Sequence, residues 1–288
     1  MKFADVLAAL AIVVIWGINF VVVKVGVGLI PPLFMTALRL TLVAGILIWF
    51  GRPPVGRMAR IAVLSVTFGG LHFGAMFSGL VGVDAAVSAI VMQLGVPFSV
   101  LLARLLLGEQ FGGRRAVGMA IAFSGVVILA GEPRTASGLG YLALILLAAF
   151  AWGLGNIQIK KIGRINVFTL NAWMALFAAP QLMLASAFLE EGQVEASLAA
   201  GWLGWGAVLY TVFAASITAY GLWYYLIEKY EIGKIVPFTL LSPVIGVLAG
   251  VLLLGEAPTW EMAIGGVVTI LGVAIIQLRI KGTYHGAA

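Results

Sequence analysis

The 288 residues contain no cysteine and only two histidines, His72 and His285. The first absence excludes a disulfide frame, a thiolate metal site and a cysteine nucleophile. The second leaves too few imidazoles for a zinc centre, and no His-Glu-x-x-His spacing occurs. No metal, cofactor or catalytic residue is expected. Charge is scarce too. Asp, Glu, Lys and Arg make up 10% of the chain, against about 25% in soluble domains. So few charges cannot coat a soluble surface of this size. That excludes an ordinary globular domain, a disordered chain and a nucleic-acid-binding module. A GxxxxGK[ST] phosphate loop is missing, and ATP-driven pumping with it.

What is present is apolar. Hydrophobic residues reach 62% and the mean hydropathy is +1.14. A helix crossing a bilayer needs about 20 mostly apolar residues. Ten segments qualify: Val6–Lys24, Pro32–Phe50, Ile61–Leu80, Ala85–Leu107, Arg115–Gly131, Gly138–Gln158, Val167–Leu189, Trp202–Ile227, Ile232–Leu254 and Trp260–Leu278. They are apolar on all faces and too long for barrel strands of about 10 residues. The first run also exceeds the core of a signal peptide, about 7–15 residues, and has a counterpart later in the chain. The expected class is an all-α integral membrane protein with ten transmembrane helices and the lipid bilayer as partner.

Lys and Arg set the orientation. With the N-terminus in the cytoplasm, fourteen of the 17 fall on the inner side. Lys24 and Arg134 fall outside, and Arg39 lies within the second span. This asymmetry predicts that both termini face the cytoplasm. It also accounts for the net charge of +6 without an anionic partner.

The chain repeats itself. Trp16-Gly17 with Lys24 recurs as Trp152-Gly153 with Lys160, an offset of 136. Leu106-Leu107-Gly108-Glu109 with Gly118 and Gly125 recurs as Leu253-Leu254-Gly255-Glu256 with Gly265 and Gly272, an offset of 147. The halves are residues 1–134 and 135–288, with five spans each. After an odd number of crossings the second copy inserts upside down, which gives the inverted repeat that many secondary transporters use.

These residues carry a family resemblance. The Trp-Gly pairs, the Leu-Leu-Gly-Glu repeats, Tyr220-Gly-Leu-Trp-Tyr-Tyr and Leu241-Ser-Pro-Val occur in an order that resembles the drug/metabolite transporter superfamily, EamA type. Within it the chain is most similar to bacterial aromatic amino acid exporters. The resemblance implies export of amino acids and related small metabolites across the inner (plasma) membrane by a multi-pass carrier. Other cargo, such as drugs or other metabolites, stays open.

Several polar and aromatic residues fall inside spans and are candidates for contact with a substrate. His72 and Met76 share a face of span three, and Gln93 lies in span four. Trp16 with Asn19, and Trp152 with Asn156, set an aromatic and an amide on related faces of spans one and six. Tyr220 and Ser242 complete the set. A cavity so lined offers stacking surface and a few hydrogen bonds. Pro97, Pro237 and Pro243 are candidate hinges, because each removes a ladder bond and frees a carbonyl. His72 also has a plainer reading, a hydrogen bond to a neighbouring helix. Arg39 is read as structural, bonding helix-end carbonyls, with a substrate carboxylate as the alternative. Lys24 and Lys160 are expected to snorkel to opposite interfaces. The glycines at 118, 125, 265 and 272 are expected to serve close helix packing.

No carboxylate falls at mid-membrane, so antiport through a membrane Glu is disfavoured. A carrier of neutral or zwitterionic cargo fits better. An intramembrane enzyme lacks a visible acid–base or nucleophile constellation, so the chain is not expected to be an enzyme. A non-transporting membrane subunit and a channel also remain. With both halves in one chain, a monomer suffices.

Overall fold

The computed structural model describes residues 1–131, 138–230, 235 and 238–277. Among them every regular element is helical. Among the described residues, nine helices are long and apolar enough to cross a membrane. The first is α1 (Phe3–Val27). It is rich in Val and Ile, poor helix formers in water. In lipid the backbone has no other partner for its N–H and C=O groups, so helix is enforced. α2 (Pro32–Leu47) starts on a proline, placed where the first-turn N–H has no helical partner anyway. α3 (Val55–Gly82), α4 (Ala85–Leu107) and α5 (Gly113–Ala130) complete the first half.

α6 (Leu139–Ile162) opens the second half. α7 (Val167–Leu189) follows, capped by the Asn166 side chain, which accepts from the Thr169 amide at 3.2 Å. After a short helix, Gln193–Ala199, α8 spans Gly201–Trp223 and continues to Lys229. α9 (Ser242–Leu254) is shorter, and α10 (Trp260–Gln277) is the last. The expected ninth span began at Ile232. Residues 232–234, 236 and 237, and so the hinge candidate Pro237, lie outside the described residues. Several helices overrun their apolar runs by a few residues, because backbone hydrogen bonding continues past the last apolar side chain.

The pairing of helices repeats across the halves. α5 packs on α10 and α2 on α7. α1 packs on α9 and α8, while α6 packs on α4 and α3. Exchanging α1–α5 for α6–α10 returns the same set. At the α5–α10 seam the four glycines face each other. A Cβ on Gly125 would lie 2.6 Å from the Gly265 carbonyl oxygen, and one on Gly272 2.6 Å from that of Gly118. They serve packing within the chain, as their sevenfold spacing suggested. Outside, apolar side chains face lipid. Trp49, Trp202 and Trp260, each more than 80% exposed, sit at helix ends, where indoles favour the membrane interface.

Candidate functional site

Two helices change their winding midway. In α3 the residues Ser65–His72, and in α8 the residues Thr211–Thr218, are π-helical. Each segment is eight residues long, and Ser65 to Thr211 is an offset of 146. They are equivalent positions of the two halves. Hydroxyls contribute to the widening. Thr211 Oγ donates to the Val208 carbonyl and Ser216 Oγ to the Thr211 carbonyl, both at 2.7 Å. Ser65 Oγ donates to the Ala62 carbonyl. Such back-bonding competes with the α-ladder, and π segments are common at functional sites.

The π segments gather much of the expected site. Trp16 on α1 packs edge-on against Tyr220 at 5.5 Å between centroids and lies 5.7 Å from Trp223. Its indole Nε1 points at the Ala215 carbonyl, 3.5 Å away. The next residue, Ser216, ties this layer to Arg39 on α2. Arg39, only 3% exposed, donates from Nε and Nη2 to Ser216 Oγ at 3.3 and 3.0 Å. Its guanidinium lies 4.3 Å from the ring centroid of Phe73 and 5.6 Å from that of Phe77. Arg39 therefore does not bond helix-end carbonyls. Its partners are a hydroxyl of the opposite half and two aromatic faces.

His72 closes the row. Its ring lies between Phe68 and Phe73, at 5.0 and 4.6 Å, and Nδ1 donates to the Ala148 carbonyl of α6 at 2.9 Å. The hydrogen bond to a neighbouring helix, its plainer reading, is present. Met76, one turn on, is buried in the main core. Asn19 is buried one turn along α1 from Trp16, and its Oδ1 has no partner among the described residues.

Trp152 and Asn156 lie elsewhere. Trp152 rests on Gly95 of α4, where a Cβ would meet its ring at 2.6 Å, and Asn156 donates to Ser99 Oγ at 3.3 Å. Both tie α6 to α4. Gln93 sits in a 3₁₀ turn, Met92–Leu94, directly before the α-helical piece containing Pro97. The ladder breaks where the proline predicts. In the other half Ser242 and Pro243 open α9, and the Ser242 carbonyl lies 2.9 Å from where a Cβ of Gly17 would be. Each Trp-Gly glycine thus lets its helix lie against a proline-bearing one, since Gly153 meets Phe98 and Ser99 in the same way.

The two repeated motifs meet at the ends of the bundle. Gly108 and Gly255 are left-handed, with φ of 70° and 67°, and terminate α4 and α9. The following glutamate amide turns back, Glu109 N to the Ala103 carbonyl and Glu256 N to that of Gly250. Each glutamate is thereby aimed across the halves. Glu256 accepts from the first amides of α4, Ala85 N at 2.6 Å and Ala86 N at 3.0 Å. Beside it, Lys24 donates to the Leu80 and Val83 carbonyls that end α3. A cavity of about 500 Å³ opens there, lined by Lys24, Asp84, Leu203 and Glu256 among others. At the other end Glu109 pairs with Lys160. The two lysines lie at opposite ends of the bundle, and each has a partner there. Further ties join the halves. Glu190 accepts from Leu33 N and Phe34 N at the Glu256 end, and Asp5 pairs with Lys229 at the N-terminal end.

The profile of the EamA-like transporter family matches this chain twice, over residues 4–131 and 139–278. The chain belongs to the EamA-like transporter family. It is a multi-pass protein of the inner membrane. It is 34% identical to a "Probable amino-acid metabolite efflux pump" of Salmonella typhimurium over 98% of each chain. Its identity to the Escherichia coli protein of that name is 32%, over 96% of this chain and 95% of that one. It is 28% identical to the E. coli "Uncharacterized inner membrane transporter YedA", over 96% and 93% of the two chains. One crystal structure superposes with a TM-score of 0.59 over 96% of each chain at 20% identity, a likeness of fold alone.

Sequence reasoning missed three parts of this site. The π segments leave only a faint trace, a hydroxyl residue opening each. Ser216 is one hydroxyl among many in the sequence. The carboxylate caps at Glu190 and Glu256 join residues about 160 positions apart.

Proposed function

We propose that this EamA-like transporter exports amino acids, preferentially aromatic or hydrophobic ones, by alternating access across the cytoplasmic membrane. The observation that carries the reading is the layer of Trp16, Tyr220 and Trp223 beside Arg39, placed between two sets of end ties. Stacking surface next to a fixed charge suits a zwitterion with an apolar side chain. The ties of Glu256 to α4 and of Lys24 to the end of α3, and the Glu109–Lys160 pair, are gates at the outer and inner ends. They are related by the internal repeat, so opening one end and closing the other are the same movement performed by opposite halves. The excess of Arg and Lys in the loops at the Glu109 end supports a cytoplasmic placement of that end. The names of the Salmonella and E. coli relatives support amino acid cargo and outward transport. The proposed unit is a monomer, with each half supplying one side of the path.

The test is counterflow in proteoliposomes. Vesicles are loaded with unlabelled amino acid, and labelled tryptophan, phenylalanine, threonine or methionine is offered outside. Saturable accumulation is expected, with tryptophan and phenylalanine ahead. No accumulation of any of the four, with folded protein, would remove the amino acid assignment. Equal rates for all four would remove the aromatic preference.

A further inference from the structure

Five buried side-chain atoms lack a hydrogen-bond partner among the described residues: Asn19 Oδ1, Ser88 Oγ, Trp173 Nε1, Gln277 Oε1 and Arg39 Nη1. Four belong to neutral groups. The fifth belongs to a charge in the second span, where a cation is costly. A buried charge without counter-ion and with an unmet N–H is the costly case. The ion pairs among the described residues are Lys160–Glu109 and Lys229–Asp5, so neither supplies an anion to Arg39. Ser216 takes two of the guanidinium donors but carries no charge. If a structural tie were all that mattered, a neutral donor on α2 would serve Ser216 as well.

We propose that Arg39 is the anchor for the carboxylate of the transported molecule, with the Trp16–Tyr220 pair holding its side chain. The proposal rests on the amino acid reading above and sharpens it. The guanidinium presents its donors in a planar fork that matches a carboxylate two-to-two. Nη1 is free for one oxygen. Nη2 carries two hydrogens: the one on the Nε side goes to Ser216, and the other, beside Nη1, reaches the second oxygen. Arg39 therefore holds the π segment of α8 through Ser216 with or without substrate. The aromatic rings beneath the guanidinium, Phe73 and Phe77, keep it in place through either state by cation–π attraction. Asn19 Oδ1, the orphan acceptor one turn from Trp16, has the right polarity for the substrate ammonium.

Competition in the counterflow assay tests this on the wild-type protein first. Labelled tryptophan is challenged with unlabelled tryptophan, tryptophan methyl ester and tryptamine. The ester and the amine are expected to compete at least tenfold more weakly than the acid. Arg39→Gln is expected to lose that discrimination. Arg39→Lys keeps the charge but not the fork, and should bind the acid several-fold more weakly with the ester unchanged. Folding of each variant is followed by size exclusion and thermal unfolding in detergent. Should Arg39→Gln fail to fold, the wild-type ranking and Arg39→Lys still decide. Equal competition by acid and ester, or an Arg39→Gln protein that still prefers the acid, overturns the anchor. A second probe pair separates this from the wider reading. Thermal stabilisation by indole-3-acetate but not by indole-3-acetamide, with no amino acid flux, keeps Arg39 as a carboxylate site and sinks the amino acid assignment. No preference in either pair sinks the anchor.

Discussion

His72 and Arg39 show how differently two ionisable side chains at membrane depth are used. His72 donates Nδ1–H to a backbone carbonyl of α6 and packs between two phenylalanines. This is a helix-to-helix tie. Interhelical hydrogen bonds in membranes average about 0.6 kcal/mol and reach about 1.7. His72→Leu should lower stability by that order, read as a modest drop in unfolding temperature in detergent. His72→Gln keeps a donor and should leave downhill counterflux largely intact. Complete loss of flux in folded His72→Gln would instead put the imidazole in the transport step. Arg39 differs because its partner set is incomplete. One donor is unmet and, among the described residues, no carboxylate forms an ion pair with it. Sequence alone marks both residues as unusual for their depth. It does not separate them, because the distinction lies in Ala148 and Ser216, 76 and 177 positions away.

At the level of elements, helix ends and helix seams behave oppositely. At the α5–α10 seam the glycines admit no side chain. Gly125→Ala puts a methyl 2.3 Å from Thr269 Oγ1 and 2.6 Å from the Gly265 carbonyl. Overpacking of this kind costs about 1–3 kcal/mol or more. Gly112→Ala meets open space and should change little. Comparing their unfolding temperatures tests the seam, and equal values would place it elsewhere. The caps respond to pH. Burial raises the Glu256 carboxyl above its ordinary value, outweighing the Ala86 and Ala85 amides that lower it. The folded protein then binds that proton more tightly than the unfolded chain does. This group's stability contribution is full at pH below the ordinary carboxylate value and is lost as pH rises through the raised one. Glu256→Gln should flatten the slope of stability against pH on the acid side. An unchanged slope would mean the carboxyl is not held this way. By contrast the exposed Glu109–Lys160 pair contributes about 0–1 kcal/mol at most. Its removal should act on the gating balance more than on stability.

Across the whole molecule, the two halves pair as each other's images, and their motif residues meet once at each end. The orientation this implies can be checked without background labelling, since the chain has no native cysteine. Glu195→Cys, an exposed position in the helix after α7, should react with an impermeant maleimide in intact cells. Arg115→Cys, exposed at the start of α5, should react only after permeabilisation. The reverse pattern would invert the assignment of the inner and outer gates.

Composition and hydropathy by themselves determined the membrane class, because a bilayer admits only helices and closed barrels and these apolar runs are too long for barrel strands. The repeated Trp-Gly and Leu-Leu-Gly-Glu motifs likewise announced two related halves. The glycine spacing announced a close seam. These features are local, so they are written in consecutive residues. Tertiary structure alone decided what each polar residue does. It brought Trp16 to Tyr220 but took Trp152 and Asn156 to α4, although both pairs look alike in sequence. It aimed Glu256 at the amides of Ala85 and Ala86, and Arg39 at Ser216. A hydrogen bond depends on a few tenths of an ångström and on an angle. Those are set only when distant helices pack, and two of these helices contain π segments.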